Sequence, residues 1–398
     1  MKKLLLIAAN LACAPIALSA DPSSVDDLFA LDLDSLREVK VGTAARRELT
    51  TRESPGSVTV FTREEIQSLG VRTLDELLNF VPGMRTYTYV GSDSSGKAVV
   101  ESRGIYNPNG YMVLLMIDGQ RINSQYTGNF TGANRWVSLT PFEKVEVVRG
   151  PGSALYGGNA MLAVINLISA NDVARNSAFV ESGSFAHKRV GVQTGVGSLR
   201  DWHWRLWAEW QEDDGDDYAD AHDPLGIELN GTADPREGRD LQFNAGNEAL
   251  SLLVRHHKRR SEQFYLLGRM ANDVNVSETE QNNVRVSYHQ QYAQLDVNIS
   301  ASYLEASWEG LTRIASQGVP PFFAADLIAG PSLKHDEYQF NADLIQHFGE
   351  RDVANYGISW EMGMVPRSAS VSNYNTLPPF NYYGELRLQD DDAHRLVS

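Results

Sequence analysis

From about residue 176 onward the sequence is written with a period of two. In "DWHWRLWAEW", Trp202, Trp204, Leu206, Ala208 and Trp210 fall on one face, against His203, Arg205 and Glu209, with Trp207 the exception. "QLDVNISASY", "DEYQFNADLIQ", "NYGISWEMG" and "FNYYGELRLQ" repeat the device, with Tyr338, Phe340, Ala342 and Leu344 set against Glu337, Gln339, Asn341 and Asp343 in the second of these. Soluble sandwiches alternate as well, but their strands run about five or six residues. These run about ten, the length that carries a strand across a bilayer. Successive strands of that length with aromatics near their ends point to a transmembrane β-barrel, apolar outside and polar inside.

The two ends of the scale of possibilities are closed by the first residues and by composition. Met1-Lys2-Lys3 is a basic start, Leu4 to Leu18 is mostly apolar, and Ala17-Leu18-Ser19-Ala20 supplies small residues. That layout is a secretory signal peptide over residues 1–20, cleaved after Ser19 or Ala20. Its apolar run is too short for a membrane-spanning helix, and nothing after residue 20 is long enough either. A membrane protein of this kind crosses with a closed barrel, because lipid offers no partner to an unpaired backbone. The one cysteine, Cys13, lies in the leader, so the mature chain has no thiol for disulfides, catalysis or metal binding. Loss of Lys2 and Lys3 takes the formal charge from −16 to −18, which makes nucleic acid a poor partner.

Between leader and strands lie two further zones. Residues 21–44 form an acidic, leucine-spaced linker that ends in the extended-looking "EVKVGTA". Residues 45–170 read as a compact mixed α/β domain. "SVTVFT" alternates as a strand, and Thr62 with Glu65, then Thr73 with Glu76, have capping-box spacing at the starts of two short helices. "KAVVESRGI" is a strand, "YMVLLMIDGQRI" a hairpin turning at Asp118-Gly119 as a type I′ turn requires, and "EKVEVVRG" and "LAVINLIS" complete the strands.

The glycine-rich "EVVRGPGSALYGGNAMLAVINLISA" (146–170) resembles a phosphate loop at first sight. A P-loop needs Lys-Ser or Lys-Thr after its last glycine, and Asn159-Ala160 stands there instead. "GPGSALYGG" also lacks the G-x-G-x-x-G spacing of a dinucleotide site. Its glycines are read as letting the chain turn sharply where the domain's last strands meet the barrel wall. None of the nine histidines adjoins a G-x-S-x-G elbow, so an exported hydrolase has no support and no enzyme or cofactor is expected.

With these elements in place, residues 45–170 resemble the plug domain of TonB-dependent outer-membrane receptors almost without gaps. "ESPGSVTVFTREEIQSLGVRTLDELLNFVPGM" is similar to the plug's opening strand and helices. "VESRGI" is similar to its Arg-Gly strand, "VLLMIDGQRIN" to its Ile-Asp-Gly hairpin, and "FEKVEVVRGPGSALYGGNAMLAVINLIS" to its closing elements. The resemblance implies a plug followed by antiparallel transmembrane strands over residues 171–398. It also implies the outer membrane of a Gram-negative bacterium, with outer-membrane lipid around the barrel. A TonB energy-coupling complex is implied as partner, together with active import of a scarce nutrient or metal chelate, a ferric siderophore first. A cobalamin or haem receptor of the same family, or an outer-membrane binding protein without energy coupling, is the alternative.

The resemblance also distributes candidate roles. Glu38, Val39, Lys40, Val41, Gly42, Thr43 and Ala44 stand where the family's TonB box stands, and such an extended peptide can add to a partner's sheet edge. Arg103 and Arg149 match two plug arginines that in the family pair with barrel-wall glutamates as an ionic latch. Tyr87, Tyr89, Asn107, Tyr126, Asn129, Phe130 and Arg135, in plug loops, are ligand-contact candidates. The acid run "QEDDGDDYADAHDP" (211–224) lacks EF-hand spacing. Because cobalamin receptors of the family hold calcium in acidic barrel loops, Asp213, Asp214, Asp216 and Asp217 are calcium candidates, with no metal assigned. About ten strands fit in residues 171–398, where the family's barrel has about 22, and the chain ends "DDDAHRLVS" without a terminal aromatic strand. The expectation is a plug plus about half of a barrel, a truncated form that would neither insert nor transport alone.

Overall fold

The computed structural model describes residues 40–43, 49–50 and 57–391, apart from 89–97, 108, 130–135, 171–175, 199–200, 220, 224–227, 230, 267–268, 273, 319–323, 349–351 and 375–380. The signal-peptide stretch lies outside the described residues. Strands β1 (Lys40–Val41) and β2 (Leu49–Thr50) pair as a two-residue ladder. A five-stranded sheet then forms in the order β3-β8-β9-β6-β7 from β3 (Ser57–Thr62), β6 (Val113–Ile117), β7 (Gln120–Arg121), β8 (Phe142–Arg149) and β9 (Ala163–Ser169). A separate ladder joins β4 (Met84–Thr88) to β5 (Ala98–Ser102).

Both capping boxes are present. The Thr62 and Thr73 side chains accept from the Glu65 and Glu76 amides, and each glutamate accepts in return from the cap's own backbone N–H. They start helices α1 (Arg63–Leu69) and α2 (Leu74–Leu78), and Gly70, at φ 68°, closes the first as a left-handed cap. Leu74, Leu77 and Leu78 are fully buried against Val113, Leu115, Val145, Val147 and Ile165, the main core. The opposite face of the same sheet buries Leu114, Met116, Val148 and Val164. Strand β6 is therefore covered on both sides, and every one of its residues is buried. That explains its unbroken apolar run: such strands sit in parallel pairs, as β6 does with β9. Asp118 and Gly119 take φ of 48° and 78° in the hairpin turn to β7, the positive angles a type I′ turn demands.

The glycine-rich stretch holds no phosphate loop. It turns through Gly150 at φ 123° and Gly157 at φ 70° around a one-turn helix, α3 (Ser153–Tyr156). Gly152 is needed for a different reason: a Cβ there would stand 2.8 Å from Val164 Cγ2.

The second half is one antiparallel ten-stranded meander. It runs β10 (Ser177–Ser182), β11 (Lys188–Val196), β12 (His203–Asp213), β15 (Arg236–Gly246), β16 (Leu250–Glu262), β19 (Val276–Gln291), β20 (Leu295–Ala315), β21 (Leu327–His347), β22 (Val353–Tyr374) and β23 (Tyr382–Asp391). Two small hairpins, β13 (Ala221–His222) with β14 (Glu228–Leu229) and β17 (Tyr265–Leu266) with β18 (Arg269–Met270), sit in its connections. Among the described residues β10 and β23 are the unpaired edges, and the sheet does not close.

Connections alternate in length. One end has 197–202, 247–249, 292–294 and 348–352; the other has the short 183–187 and then the longer 214–235, 263–275, 316–326 and 375–381. Short turns at one end and long loops at the other are the asymmetry of outer-membrane barrels, with the short turns on the periplasmic side. Exposed Trp202, Tyr292 and Phe348 gather at the short-turn end. The outer faces carry Val284, Val286, Ile299, Phe340, Ile358 and Trp360, all exposed. Strands β19 to β22 reach 16 to 22 residues rather than the ten read from the sequence. The excess lies toward the long loops, where the outer face of β20 turns polar at Glu305, Ser307 and Glu309. Trp207, the exception in the first strand read, is 2% exposed and faces inward beside Gln242.

Candidate functional site: the plug and its contacts with the wall

The described part of the TonB-box candidate is docked on the plug. The Thr43 amide and hydroxyl both donate to Glu146 Oε2, at 2.9 and 2.6 Å, and the Gly42 amide donates to Oε1 at 3.4 Å. Asn166 Nδ2 donates to Thr43 Oγ1 at 3.1 Å, and the Tyr156 hydroxyl to the Thr43 carbonyl at 2.6 Å. Lys144 Nζ lies 2.7 Å from Glu146 Oε1. Glu146 and Asn166 face each other across β8 and β9, so the docking point is the middle of the plug sheet. Lys40 and Val41 pair with Leu49 and Thr50. Glu38, Val39 and Ala44 lie outside the described residues.

Arg103 and Arg149 lie side by side. Arg149 donates to the Pro82 carbonyl at 2.7 Å and to Ser57 Oγ at 2.6 Å, while Arg103 reaches the Arg149 carbonyl at 3.5 Å. Partial burial and then the Arg103 charge draw the Arg149 guanidinium below its ordinary pKa. Among the described residues no carboxylate comes within ion-pair distance of either arginine, so the expected wall glutamates are not brought to them.

Other charges do join plug to wall, and sequence reasoning missed them. The Gln125 amide donates to Glu337 at 2.6 Å and its side chain to Glu361 at 3.0 Å, with Arg121 Nε 3.6 Å from Glu361. On the opposite side of the plug, Arg189 pairs with Glu209 at 2.7 Å, and both hydrogen-bond Ser138. Arg259 pairs with Asp240 at 2.6 Å and donates to the Trp136 carbonyl at 2.9 Å; Asp240 also meets His257 Nδ1. The plug hairpin presents Asp118 to the barrel's Arg285. Burial raises the Asp118 carboxyl above its ordinary pKa, against the hydrogen bond from Ser169 and the Arg285 charge. The signal that could have found these groups was an inward-facing charge in a period-two strand, as at Glu337 and Glu209.

The ligand-contact candidates scatter. Tyr126 lines a cavity of about 370 Å3 with Arg121, Gln125, His335, Glu337 and Glu361, and its hydroxyl lies 3.4 Å from Ser368 Oγ toward the long loops. Asn107 is fully buried and accepts from the Met112 amide, which braces its own loop. Tyr87 donates to Glu101 within the β4–β5 ladder, and the Asn129 carbonyl accepts from Ser124; neither lines that cavity. Tyr89, Phe130 and Arg135 lie outside the described residues.

The acid run folds back on its own hairpin. Asp213 accepts from the Gly215 amide and meets Arg236 at 3.8 Å, and Asp217 accepts from the Thr232 amide. The Asp216 amide donates to Asp234. Asp213, Asp214, Asp216 and Asp217 do not gather as a cation would require: among the described residues no three His, Asp or Glu side chains group in that way.

A second and larger cavity, about 700 Å3, opens at the short-turn end between the β6–β7 hairpin and strands β19 to β21. Gly42, Thr43, Asp118, Arg285, His289 and Asp343 are among its walls. No helix among the described residues is long and apolar enough to cross a membrane, which leaves crossing by strands open.

Comparison with known proteins agrees with this architecture. The TonB-dependent receptor plug domain matches residues 50–164. The chain is similar to the vitamin B12 transporter BtuB of Vibrio vulnificus, 32% identical over 181 residues, 45% of this chain and 28% of that protein. It is similar also to an iron-regulated outer membrane virulence protein of Vibrio cholerae, 32% identical over 158 residues, 38% of this chain and 23% of that one. Among solved structures, the pyoverdine outer membrane receptor FpvA of Pseudomonas aeruginosa shares the fold at a TM-score of 0.61 and 17% identity, over 91% of this chain and 55% of that one. The ferric yersiniabactin uptake receptor FyuA of Yersinia pestis does so at 0.59 and 16%, over 82% and 50%. The match thus spans about a quarter of the curated relatives' length and about half of the solved receptors'. The chain therefore carries a TonB-dependent receptor plug domain over residues 50–164, is similar in sequence to receptors of that family, and continues in an antiparallel meander with the fold of such receptors' barrels.

Proposed function

We propose that the protein serves active, TonB-coupled import of a scarce nutrient across the outer membrane, with a ferric siderophore as the first candidate substrate. The observation that carries this reading is the docking of Gly42 and Thr43 on the centre of the plug at the short-turn end. An extended segment held there by a few hydrogen bonds is where a periplasmic partner adding a strand would take hold. The signal peptide over residues 1–20, the linker over 21–44, the plug over 45–170 and the barrel strands from 171 form one consistent export-and-insertion plan. Arg103 and Arg149, with no carboxylate beside them among the described residues, remain the proposed latch toward wall glutamates. Cobalamin is the second reading, favoured by the relatives named as vitamin B12 transporters.

The test is uptake of radioiron as siderophore complexes and of radiocobalt as cobalamin by cells expressing the protein, with and without residues 38–44. Loss of uptake of one substrate with retained surface binding supports energised import. Uptake that survives the deletion would refute TonB coupling through this segment, and binding with no uptake in either form would favour a receptor without energy coupling.

A further inference from the structure

The long-loop end of the wall is tied into one rim. The Ala233 amide donates to Asn272 Oδ1 at 3.0 Å, and the Met270 amide to Asp223 at 3.4 Å. Arg313 donates to the Met270 carbonyl at 3.0 Å and pairs with Asp326 at 2.8 Å. The Ile328 amide then reaches Asn373 Oδ1 at 2.9 Å, so the contacts run from the first long connection to β22. Across the four long connections, 214–235, 263–275, 316–326 and 375–381, the sequence holds nine carboxylates against one arginine, Arg269, and no lysine. A mouth of one sign concentrates solutes of the other and speeds their arrival. Exposed acids alone are more often a solvated surface, and a second feature gives this charge a target.

The cavity of about 370 Å3 that Tyr126 lines contains two wall carboxylates, Glu337 and Glu361. Glu337 is 1% exposed. Its Oε1 accepts from the Gln125 amide at 2.6 Å, while its Oε2 is buried and has no hydrogen-bond partner among the described residues. His335 Nε2, 3.3 Å from Glu337 Oε1, is likewise buried without a hydrogen bond. Arg121 is engaged elsewhere: it donates to Asn159 Oδ1 at 2.8 Å and to the Tyr156 carbonyl at 2.9 Å, and stands 3.6 Å from Glu361. A buried carboxylate oxygen without a donor is costly. An ammonium or guanidinium N–H would satisfy it with a bond of the stronger, charge-assisted kind.

We propose that the acidic rim and the Glu337–Glu361 cavity select the substrate by charge: they take a hydrophilic compound that presents an ammonium or guanidinium group and disfavour a polyanionic chelate. Glu337 and Glu361 determine specificity at contact, and the rim attracts at longer range. The proposal rests on the import reading for what is carried, and it narrows the ferric chelate of that reading to one with a cationic arm.

Thiol reagents of opposite charge test the site whatever the nutrient is. In the full chain with Cys13→Ser, Tyr126→Cys supplies the one thiol. Its modification rates are measured with a trimethylammonium methanethiosulfonate and with the sulfonate counterpart, each divided by that reagent's rate with 2-mercaptoethanol. The cationic reagent is expected to lead by about tenfold or more at low ionic strength, and the lead should shrink in about 0.5 M salt. Glu337→Gln and Glu361→Gln, placed separately, should each lower the ratio about threefold. Glu361 is 31% exposed at its side chain, so its variant decides the matter should Glu337→Gln fail to fold. A ratio near one, silence toward both reagents, or a ratio that neither substitution moves would overturn the proposal. Cells expressing the protein are then offered radioiron as a cationic trihydroxamate with a free terminal ammonium and as a polyanionic tricatecholate. Preferred uptake of the first supports charge selection, and preferred uptake of the second overturns it. Uptake of neither, with the thiol ratios as expected, would count against the ferric-chelate reading and leave the charge preference standing.

Discussion

Arg189 shows how a barrel residue can hold a plug. It is 5% exposed, lies 2.7 Å from Glu209, and shares Ser138 with it, with Phe179 beneath its guanidinium. Arg189→Ala would leave Glu209 buried without its counter-charge, a loss of about 3–5 kcal/mol. Replacing both partners by apolar residues of similar volume should cost much less, and urea unfolding of the three proteins checks the order. Equal midpoints for the single and double variants would show that the pair is not desolvated. Asp118 makes a prediction about pH. Because burial raises its carboxyl in the folded chain, the fold holds that proton where the unfolded chain has lost it. Its contribution is fully present below the ordinary carboxylate pKa and is lost as pH rises through the raised value. Asp118→Asn, which tolerates the φ of 48°, should flatten that part of the stability–pH curve; a superimposable slope for the two proteins would rule it out. None of these pairs was legible in the sequence. Glu209 and Ser138 are 71 residues apart and Gln125 and Glu361 are 236 apart, and only the register of the wall against the plug brings them together. Arg103 and Arg149 were legible as motif residues, whereas the groups they face were not.

Local devices, by contrast, could be read directly, because their partners are three residues away. Thr73 and Glu76 cap α2 as their spacing demands, and Glu76 also accepts from the Arg72 amide at 2.6 Å. Thr73→Ala should lower stability by about 0.5–2 kcal/mol, seen as a shift in the thermal midpoint; no shift would mean that tertiary packing alone fixes the helix start. The turn at Asp118-Gly119 was legible for the same reason, since two positive φ angles leave few residue choices. The pairing of β6 with β9 was not. An apolar run buried on both faces looks alike in a parallel and an antiparallel setting, and the strand that covers it arrives some 50 residues later. Strand length failed in the opposite direction: alternation marks where a strand touches lipid, and the polar extensions of β20 to β22 carry no such mark.

At the scale of the whole molecule, two opposed surfaces must be served by one sheet. The inner face needs hydrogen bonds to a folded plug, which Gln242, Gln281 and Gln339 donate to Ser169, Ile122 and Arg121. The outer face needs apolar side chains in lipid, and strict alternation is the only way one strand meets both demands. Neighbouring residues on β22 therefore have opposite tolerances. Ile358 is 65% exposed on the outer face, and Ser359 lines a polar cavity on the inner one with Asn355, Gly357 and Glu361. Ile358→Arg should cost about 2–4 kcal/mol of folding free energy in lipid if the site lies near the bilayer midplane, while a lumen-facing charge tunes contents rather than insertion. Ser359→Arg, one residue along, should change that free energy far less. Urea titrations of both variants folded into lipid vesicles make the comparison, with tryptophan fluorescence as the readout. Equal penalties, or a larger one at Ser359, would mean that the apolar face does not meet lipid, and the assignment of this sheet as a membrane wall would fall with it.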